Sequence, residues 1–234
     1  MAEDLTGEAG MVVMPVDGDA DDQISFGEWK SGMAWSTIKV PIAVAADQNN
    51  PDSDSIDSLI HQAITVSSNE AAESLWVSLG SSNQARRATD KVLAENGDKK
   101  TKVGQNASMG RVTFGYTTWA LTDQATFVAG LSCDEDAQQV VKEMRKVSAE
   151  HRWGLGTLEG AAFKGGWGPY NGTYTSRQMG VVSVDGKGRG DSASIAVAMG
   201  VENPDGDGTE DLDTMADWLE DHLDELPAGT CDAG

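Results

Sequence analysis

Three short apolar segments in the last third of the chain limit the possible fold more than any other feature. Their sequences are AAFKGGWG, TYTSRQMGVVSV and SASIAVAMGV, rich in small and β-branched residues. Asn-Gly and Asp-Gly pairs lie between them, and such pairs favour the tight turns that join antiparallel strands. The pattern therefore predicts three antiparallel strands after His151.

The chain before His151 combines one clear strand with a long helical region. GMVVMPVDG reads as a strand, and ISFGEWKSG as a weaker second one. Apolar residues then recur at three- and four-residue spacing in segments that predict helices. These helices are expected from near Ser36, over 55–79 with a break at 67–69, and over 82–95, 117–131 and 136–151, with a last one at 209–226.

This order of elements predicts an α+β fold, an α/β sandwich. We expect an antiparallel sheet flanked by terminal helices, with an all-helical subdomain inserted after the first strands. The 234 residues suffice for one large domain or two small ones. We expect a single domain, in which residues 1–46 and 152–234 form the α/β part and residues 47–151 the helical part.

The charge of the chain excludes one class of partner. A formal net charge of −21 argues against binding nucleic acid or an anionic membrane through a basic face. No segment approaches the roughly 20 apolar residues of a membrane span. Residues 1–10 are polar and acidic and do not resemble a signal peptide, so Met1 fits a start added to a trimmed mature chain.

The two cysteines, Cys133 and Cys231, lie in polar segments, LSCDED and AGTCDAG. They fit one disulfide that closes a long loop in an oxidising compartment. The alternative is two unrelated buried thiols.

Three short motifs carry the chemistry. Ser36-Thr37-Ile38-Lys39 is an S-x-x-K at a predicted helix start, Ser67-Ser68-Asn69 is an S-x-N between two predicted helices, and Lys164-Gly165-Gly166 is a K-x-G in a predicted strand. An S-x-x-K alone is expected about once by chance in a chain of this length, so each motif is weak by itself. Their order and their positions make the combination stronger.

Physical chemistry gives Ser36 and Lys39 a shared role. Residues three apart on a helix share a face, so the Lys39 amine can reach the Ser36 hydroxyl. A serine becomes a nucleophile when a base removes its proton. A lysine is such a base only when burial or a neighbouring cation lowers its pKa. The apolar segment IKVPIAV offers burial, and Lys164 offers the neighbouring cation.

In this order the motifs resemble those of the penicillin-recognising serine hydrolases, namely class A β-lactamases, D-alanyl-D-alanine carboxypeptidases and penicillin-binding proteins. The resemblance extends from MVVMPVDG to the final helix, and RWGLG, AFKGGWGP and RQMGVVSV look like small secreted actinobacterial members. It implies that Ser36 is the acylated nucleophile and Lys39 its base. Ser67 would pass a proton to the leaving nitrogen.

The resemblance also implies a substrate-binding set. Asn69 would contact the substrate amide and Lys164 would supply positive charge. The strand residues Gly166 and Trp167 would border the substrate, with the backbone N–H groups of Ser36 and Trp167 forming the oxyanion hole. Trp35 would flank the same groove. The implied partner is a peptidoglycan-like peptide or a β-lactam, met by a monomer in a secreted or envelope-associated location, with a lipid anchor possible on the precursor.

The sequence departs from this family at the third motif. The middle residue is usually Thr or Ser and binds the substrate carboxylate, but here it is Gly165, which has no hydroxyl. Arg177 on the next predicted strand could hold a carboxylate instead. The alternative for Arg177 is an exposed strand charge.

A second departure concerns deacylation. Class A β-lactamases activate water with a glutamate on a loop between the second and third motifs. The corresponding stretch, residues 99–122, contains no Asp or Glu. An acyl-enzyme would therefore hydrolyse slowly, and a β-lactam would act as a trap.

Several alternatives to a slow serine hydrolase stay open. The fold could be a catalytically silent module that binds cell-wall fragments or a protein, an efficient β-lactamase, or an unrelated α+β protein with coincidental motifs. No metal or cofactor is expected, because His61, His151 and His222 lack ligand spacing and the acidic segment 202–214 lacks the ligand order of an EF-hand.

Overall fold

The computed structural model describes residues 4–104, 114–184 and 193–231. Its centre is a five-stranded antiparallel sheet with strand order β2-β1-β7-β6-β5. The three strands predicted after His151 are β5, β6 and β7, and β7 pairs with β1. The strands are β1 (Glu8–Pro15), β2 (Ile24–Gly27), β5 (Ala162–Tyr170), β6 (Thr173–Ser183) and β7 (Ser194–Asn203), and a separate two-stranded sheet contains β3 (Ser31–Met33) and β4 (Thr118–Ala120).

The helices cover both faces of the large sheet. Alternation along β1 points Met11 and Val13 to one face and Val12 and Met14 to the other, and the two pairs belong to separate hydrophobic cores. Helix α7 packs on the first face, while α1 and α5 lie in the core on the second. The helices are α1 (Lys39–Asn49), α2 (Asp54–Thr65), α3 (Asn69–Ser78), α4 (Ser82–Glu95), α5 (Leu121–Leu131), α6 (Gln138–Met144) and α7 (Thr209–Asp221).

The α+β fold is confirmed. Helices α2, α3 and α4 pack around α1, and α4 has the predicted bounds. Within the described ranges, no helix combines the length and apolar character needed to cross a membrane. Cys133 and Cys231 form a disulfide across 98 residues of sequence, which confirms the predicted bridge.

Three predicted helices are too long. The last one, α7, ends at Asp221 rather than at 226, and in the other two, contacts distant in sequence compete with helix formation. Thr118–Ala120 is strand β4, paired with β3, and not the start of a helix. The guanidinium of Arg177 donates to the carbonyls of Met33 and Trp119 at 3.2 and 3.1 Å, which ties the two short strands together. Helix α6 ends at Met144, and the Ser148 N–H donates to the Thr65 carbonyl at 2.9 Å instead of continuing a helix.

Candidate active site

Ser36 lies in a tight turn that precedes α1. Residues 35–38 form a 3-10 turn, and the α-helix begins at Lys39. The turn is held from inside, because the buried Thr37 hydroxyl donates to the Ala34 carbonyl at 2.6 Å. Trp35 has φ +50°, a left-handed value that is rare outside glycine and often occurs at functional sites. This turn leaves Ser36 partly exposed at the edge of a cleft.

Strand β5 presses directly against this turn, and Gly166 makes the approach possible. A Cβ atom at Gly166 would lie 2.7 Å from the Ser36 nitrogen and 2.9 Å from the Ala34 oxygen. Any side chain there would collide with backbone, so glycine is required. Gly166 thus fixes the separation between β5 and the Ser36 turn by having no side chain.

Lys39 lies inside the site with its amine facing the S-x-N motif. The residue is 1% exposed. Its amine donates to the Ser67 carbonyl at 2.5 Å and the Asn69 side-chain oxygen at 2.8 Å, with the Ser67 hydroxyl at 3.3 Å. Burial lowers the pKa of the Lys39 amine to about 8, against an opposing effect of the Glu70 carboxylate. A neutral amine has two N–H groups for the two shorter contacts and keeps a lone pair for a proton.

Lys164 reaches the same hydroxyl from the sheet. Its amine donates to the Ser67 hydroxyl oxygen at 2.9 Å and to the Gly165 carbonyl at 2.9 Å. Burial, and secondly the Lys39 charge, hold the pKa of the Lys164 amine well below its usual range. Ser67 itself has φ +57°, a conformation that places its hydroxyl between the two amines at a backbone cost.

Four of the predicted site residues line one cleft of about 460 Å³, namely Ser36, Lys39, Asn69 and Trp167. Sequence reasoning missed Glu73, although Asn69 and Glu73 are four residues apart on α3 and therefore share a helix face. It also missed the aromatic wall formed by Phe114 and Tyr174. The lining residues are Trp35, Ser36, Lys39, Asn69, Glu73, Phe114, Gly115, Trp167, Gly168, Pro169 and Tyr174.

A larger depression of about 780 Å³ lies elsewhere, near Cys133. Its wall is mostly acidic and amide side chains, among them Asp47, Asp134 and Asp136. In the three described ranges, no group of three or more His, Cys, Asp and Glu residues is arranged to hold a metal ion. We therefore place the candidate site in the smaller cleft, which is lined by residues of the first two motifs and by Trp167, next to the third.

Gly165 faces a cluster of rings. A Cβ atom at Gly165 would lie 3.1 Å from the Trp153 ring and 3.6 Å from the Trp167 ring. Trp153 and Trp167 meet edge to face at 5.8 Å between centroids, and His151 lies 4.8 Å from Trp167. The tryptophan of RWGLG therefore adjoins the position where the resembled family has a hydroxyl.

Arg177 does not lie in the cleft, which corrects its assignment to a substrate carboxylate. The side chain is fully buried, donates to the Gly32 carbonyl at 3.0 Å and to the Gln124 side-chain oxygen at 2.6 Å, and stacks over Trp29 at 5.4 Å. Gln124 in turn donates to the Thr37 hydroxyl at 3.0 Å. Arg177 therefore supports the interior side of the Ser36 turn.

The other histidines have local structural contacts. His61 lies 2.7 Å from the Glu143 carboxylate, and His222 stacks on Trp218. Of the stretch 99–122, which lacks Asp and Glu in the sequence, residues 105–113 lie outside the described part of the chain.

Comparison with solved structures identifies the fold. No protein-family model and no curated protein matches the sequence. A mutant of the chromosome-encoded β-lactamase of Vibrio parahaemolyticus superposes with a TM-score of 0.66 at 13% identity, over 94% of this chain and 96% of that one. A β-lactamase of Xanthomonas campestris gives a TM-score of 0.66 at 16% identity, over 94% and 93%.

A third similar structure is a mutant of PBP-A, captured as an acyl-enzyme complex with penicillin G. It superposes with a TM-score of 0.66 at 18% identity, over 96% of this chain and 93% of that one. The chain therefore has the fold of the serine β-lactamases and penicillin-binding proteins.

Proposed function

We propose that the protein is a penicillin-recognising serine acyl-transferase or hydrolase that works through an ester on Ser36. One observation carries this proposal. The Ser67 hydroxyl lies within hydrogen-bonding distance of the Lys164 amine and 3.3 Å from the Lys39 amine, beside the cleft that Ser36 borders. Two buried amines on one hydroxyl form a route for a proton between a nucleophile and a leaving group.

The acylation step follows from this arrangement. The Ser36 oxygen attacks the substrate carbonyl carbon, and its proton passes to the neutral Lys39 amine. The C–N bond then breaks, and the leaving nitrogen takes a proton from the Ser67 hydroxyl, which is replenished from the lysines. Backbone N–H groups of Ser36 and Trp167 stabilise the oxyanion, and Asn69 orients the substrate amide.

Deacylation is proposed to be slow. It requires a base that activates water, and residues 99–122, the stretch that corresponds to the glutamate-bearing loop of the resembled family, contain no Asp or Glu. The acyl group would then stay on Ser36 or pass to an amine. The proposed substrate is a D-Ala-D-Ala-like peptide or a related acyl donor of the cell envelope, with a β-lactam as a trapping analogue.

The proposed setting is extracytoplasmic. The Cys133–Cys231 disulfide is typical of proteins in oxidising compartments, and the net charge of −21 suits a secreted monomer without nucleic-acid partners.

A second candidate is a catalytically silent module that binds cell-wall fragments or a protein. The direction of the Lys39 amine favours it. Among the described residues this amine contacts Ser67 and Asn69 and not the Ser36 hydroxyl. Without movement of that amine, Ser36 would lack its base.

Intact-protein mass after incubation with penicillin G separates the two candidates. We expect the mass of one penicillin to be added to the wild type and to persist for hours, and to be absent in Ser36→Ala. The matched control is Ser82→Ala, an exposed serine on α4, which should keep the adduct. No adduct at millimolar penicillin and no loss of penicillin would favour the silent module, whereas loss of penicillin without an adduct would indicate an efficient β-lactamase.

A further inference from the structure

Among the described residues that line the cleft, the exposed charged side chain is negative. Glu73 is exposed and lines the cleft one helical turn beyond Asn69. The two lysines of the site are 1% and 2% exposed, and their amines donate to oxygens of Ser67, Asn69 and Gly165. A substrate carboxylate entering the cleft would therefore meet the Glu73 carboxylate before either amine.

The position where the resembled family binds a carboxylate is apolar here. Gly165 offers no hydroxyl, and the Trp153 ring lies 3.1 Å from where its Cβ would stand. A serine or threonine at this position would require the Trp153 ring to move. Trp153 packs against Trp167, and Trp167 lines the cleft together with Trp35. The wall beside Ser36 is thus built to contact flat apolar groups.

Two basic side chains in the described part of the chain, Arg177 and His151, do not replace the missing hydroxyl. The Arg177 guanidinium is buried and donates to Gly32, Met33, Trp119 and Gln124. Burial, aided by Lys164, lowers the pKa of the His151 imidazole below its ordinary value, which disfavours the charged form.

We infer that Ser36 acts on acyl donors that carry no carboxylate beside the scissile amide, such as amidated or esterified peptides, with an apolar group between Trp35 and Trp167. This inference rests on the proposed function, and within its class of acyl donors it replaces a peptide with a free D-Ala-D-Ala carboxylate by one whose terminus is amidated or esterified. The covalent step is unchanged, because the Ser36 ester forms as the C–N bond breaks and the leaving nitrogen takes the proton. Only recognition differs.

Penicillin G and its methyl ester form a matched pair of probes, since they share the lactam and differ in one carboxylate. The rate of adduct formation on Ser36 is measured for both by intact mass, and each rate is divided by the rate of lactam hydrolysis in hydroxide. We expect the ester to acylate roughly fivefold faster, because one like-charge contact near 4 Å in water costs about that factor. High salt should shrink the difference.

The variant Glu73→Gln tests the origin of the preference. It should raise the rate with the acid relative to the ester by roughly threefold to fivefold. The control Glu220→Gln removes the same charge from α7, on the other face of the sheet, and should leave the ratio near the wild-type value. If both variants changed the ratio of the two rates equally, the preference would come from the net charge of the protein and not from Glu73 in the cleft.

Other outcomes separate the inference from the function. Faster acylation by the acid would overturn the inference and leave the Ser36 acyl-enzyme standing. If Arg111→Ala then abolished that preference, the carboxylate site would be assigned to Arg111, which lies outside the described residues. No Ser36 adduct with either probe would overturn the proposed function itself.

Discussion

The cleft and the core beneath it both contain buried basic groups, but these groups differ in their charge state near neutral pH. In the cleft, burial lowers the pKa of the Lys39 amine to about 8, so it can release and accept a proton near neutral pH. Beneath the sheet, burial lowers the pKa of the Arg177 guanidinium to about 9, which leaves it charged at pH 7. Both groups are bound by neutral oxygens, so the chemistry of the cation decides whether a buried site can be catalytic or only supportive.

The variant Lys39→Arg tests the comparison between the two regions most strongly, because it places a guanidinium, which stays charged at pH 7, in the cleft. Arginine cannot act as a base at pH 7. We expect the rate of Ser36 acylation by penicillin to fall by about 10²- to 10⁴-fold, the usual contribution of a general base. The rate is measured by intact mass over time.

Lys91→Arg provides the matched control for this change. Lys91 is exposed on α4 and pairs with Glu95 at 3.2 Å, so its replacement should leave the acylation rate near that of the wild type. If Lys39→Arg acylates as fast as the wild type, Lys39 is not the base and the proton passes through Ser67 to Lys164.

The pH profile of acylation sharpens the same contrast. Because the neutral Lys39 amine is the active form and its pKa is about 8, the rate should rise roughly a hundredfold from pH 6 to pH 9. A rate that is flat over this range would contradict a titrating lysine base.

Stability should respond to the same titration. The folded-state pKa of Lys39 lies below the ordinary lysine value of 10.5, so the unfolded chain binds more protons between about pH 8 and pH 10.5. The free energy of unfolding should therefore gain a rising contribution with pH across that window. The difference between wild type and Lys39→Met in urea titrations isolates this contribution.

The sequence predicts the sheet and the order of the motifs because these depend on local signals. Turn glycines and alternating apolar residues mark β5, β6 and β7, and cap residues mark the start of α3 at Asn69. The strand β4 escaped prediction because its pairing with β3 depends on Arg177, which is distant in sequence.

The location of Arg177 was predictable only in part. Arg177, Met179 and Val181 alternate along β6, so they point to one face, and Met179 lies in the core that contains α1 and α5. Both chain neighbours of Arg177 are also buried. The strand therefore has no alternation of exposed and buried residues that would mark which face Arg177 points to. No local sequence pattern predicts that the Trp153 ring contacts Gly165, since this contact depends on how the turn before β5 folds back.

Replacing Arg177 tests the supporting region. Arg177→Met removes the donors of the Gly32, Met33 and Trp119 carbonyls, and relief of the buried charge offsets part of that loss. We expect the free energy of unfolding in urea to fall by about 2–4 kcal/mol. The exposed Arg87→Met on α4 should change it by less than about 0.5 kcal/mol. Equal stability of both variants would contradict the supporting role.

The two adjacent glycines of β5 give the smallest and most local comparison. A methyl group at Gly166 would meet the backbone of the Ser36 turn at 2.7 Å, whereas one at Gly165 would meet the Trp153 ring at 3.1 Å. Backbone in a turn held by Thr37 cannot yield, but a ring can shift by a few tenths of an ångström. Gly166→Ala should therefore slow acylation by roughly tenfold through displacement of Ser36, and Gly165→Ala by less than about threefold. If both alanine variants acylate at the same rate, the spacing between β5 and the turn is not what positions the nucleophile, and the interior contacts from Gln124 to Thr37 carry that role.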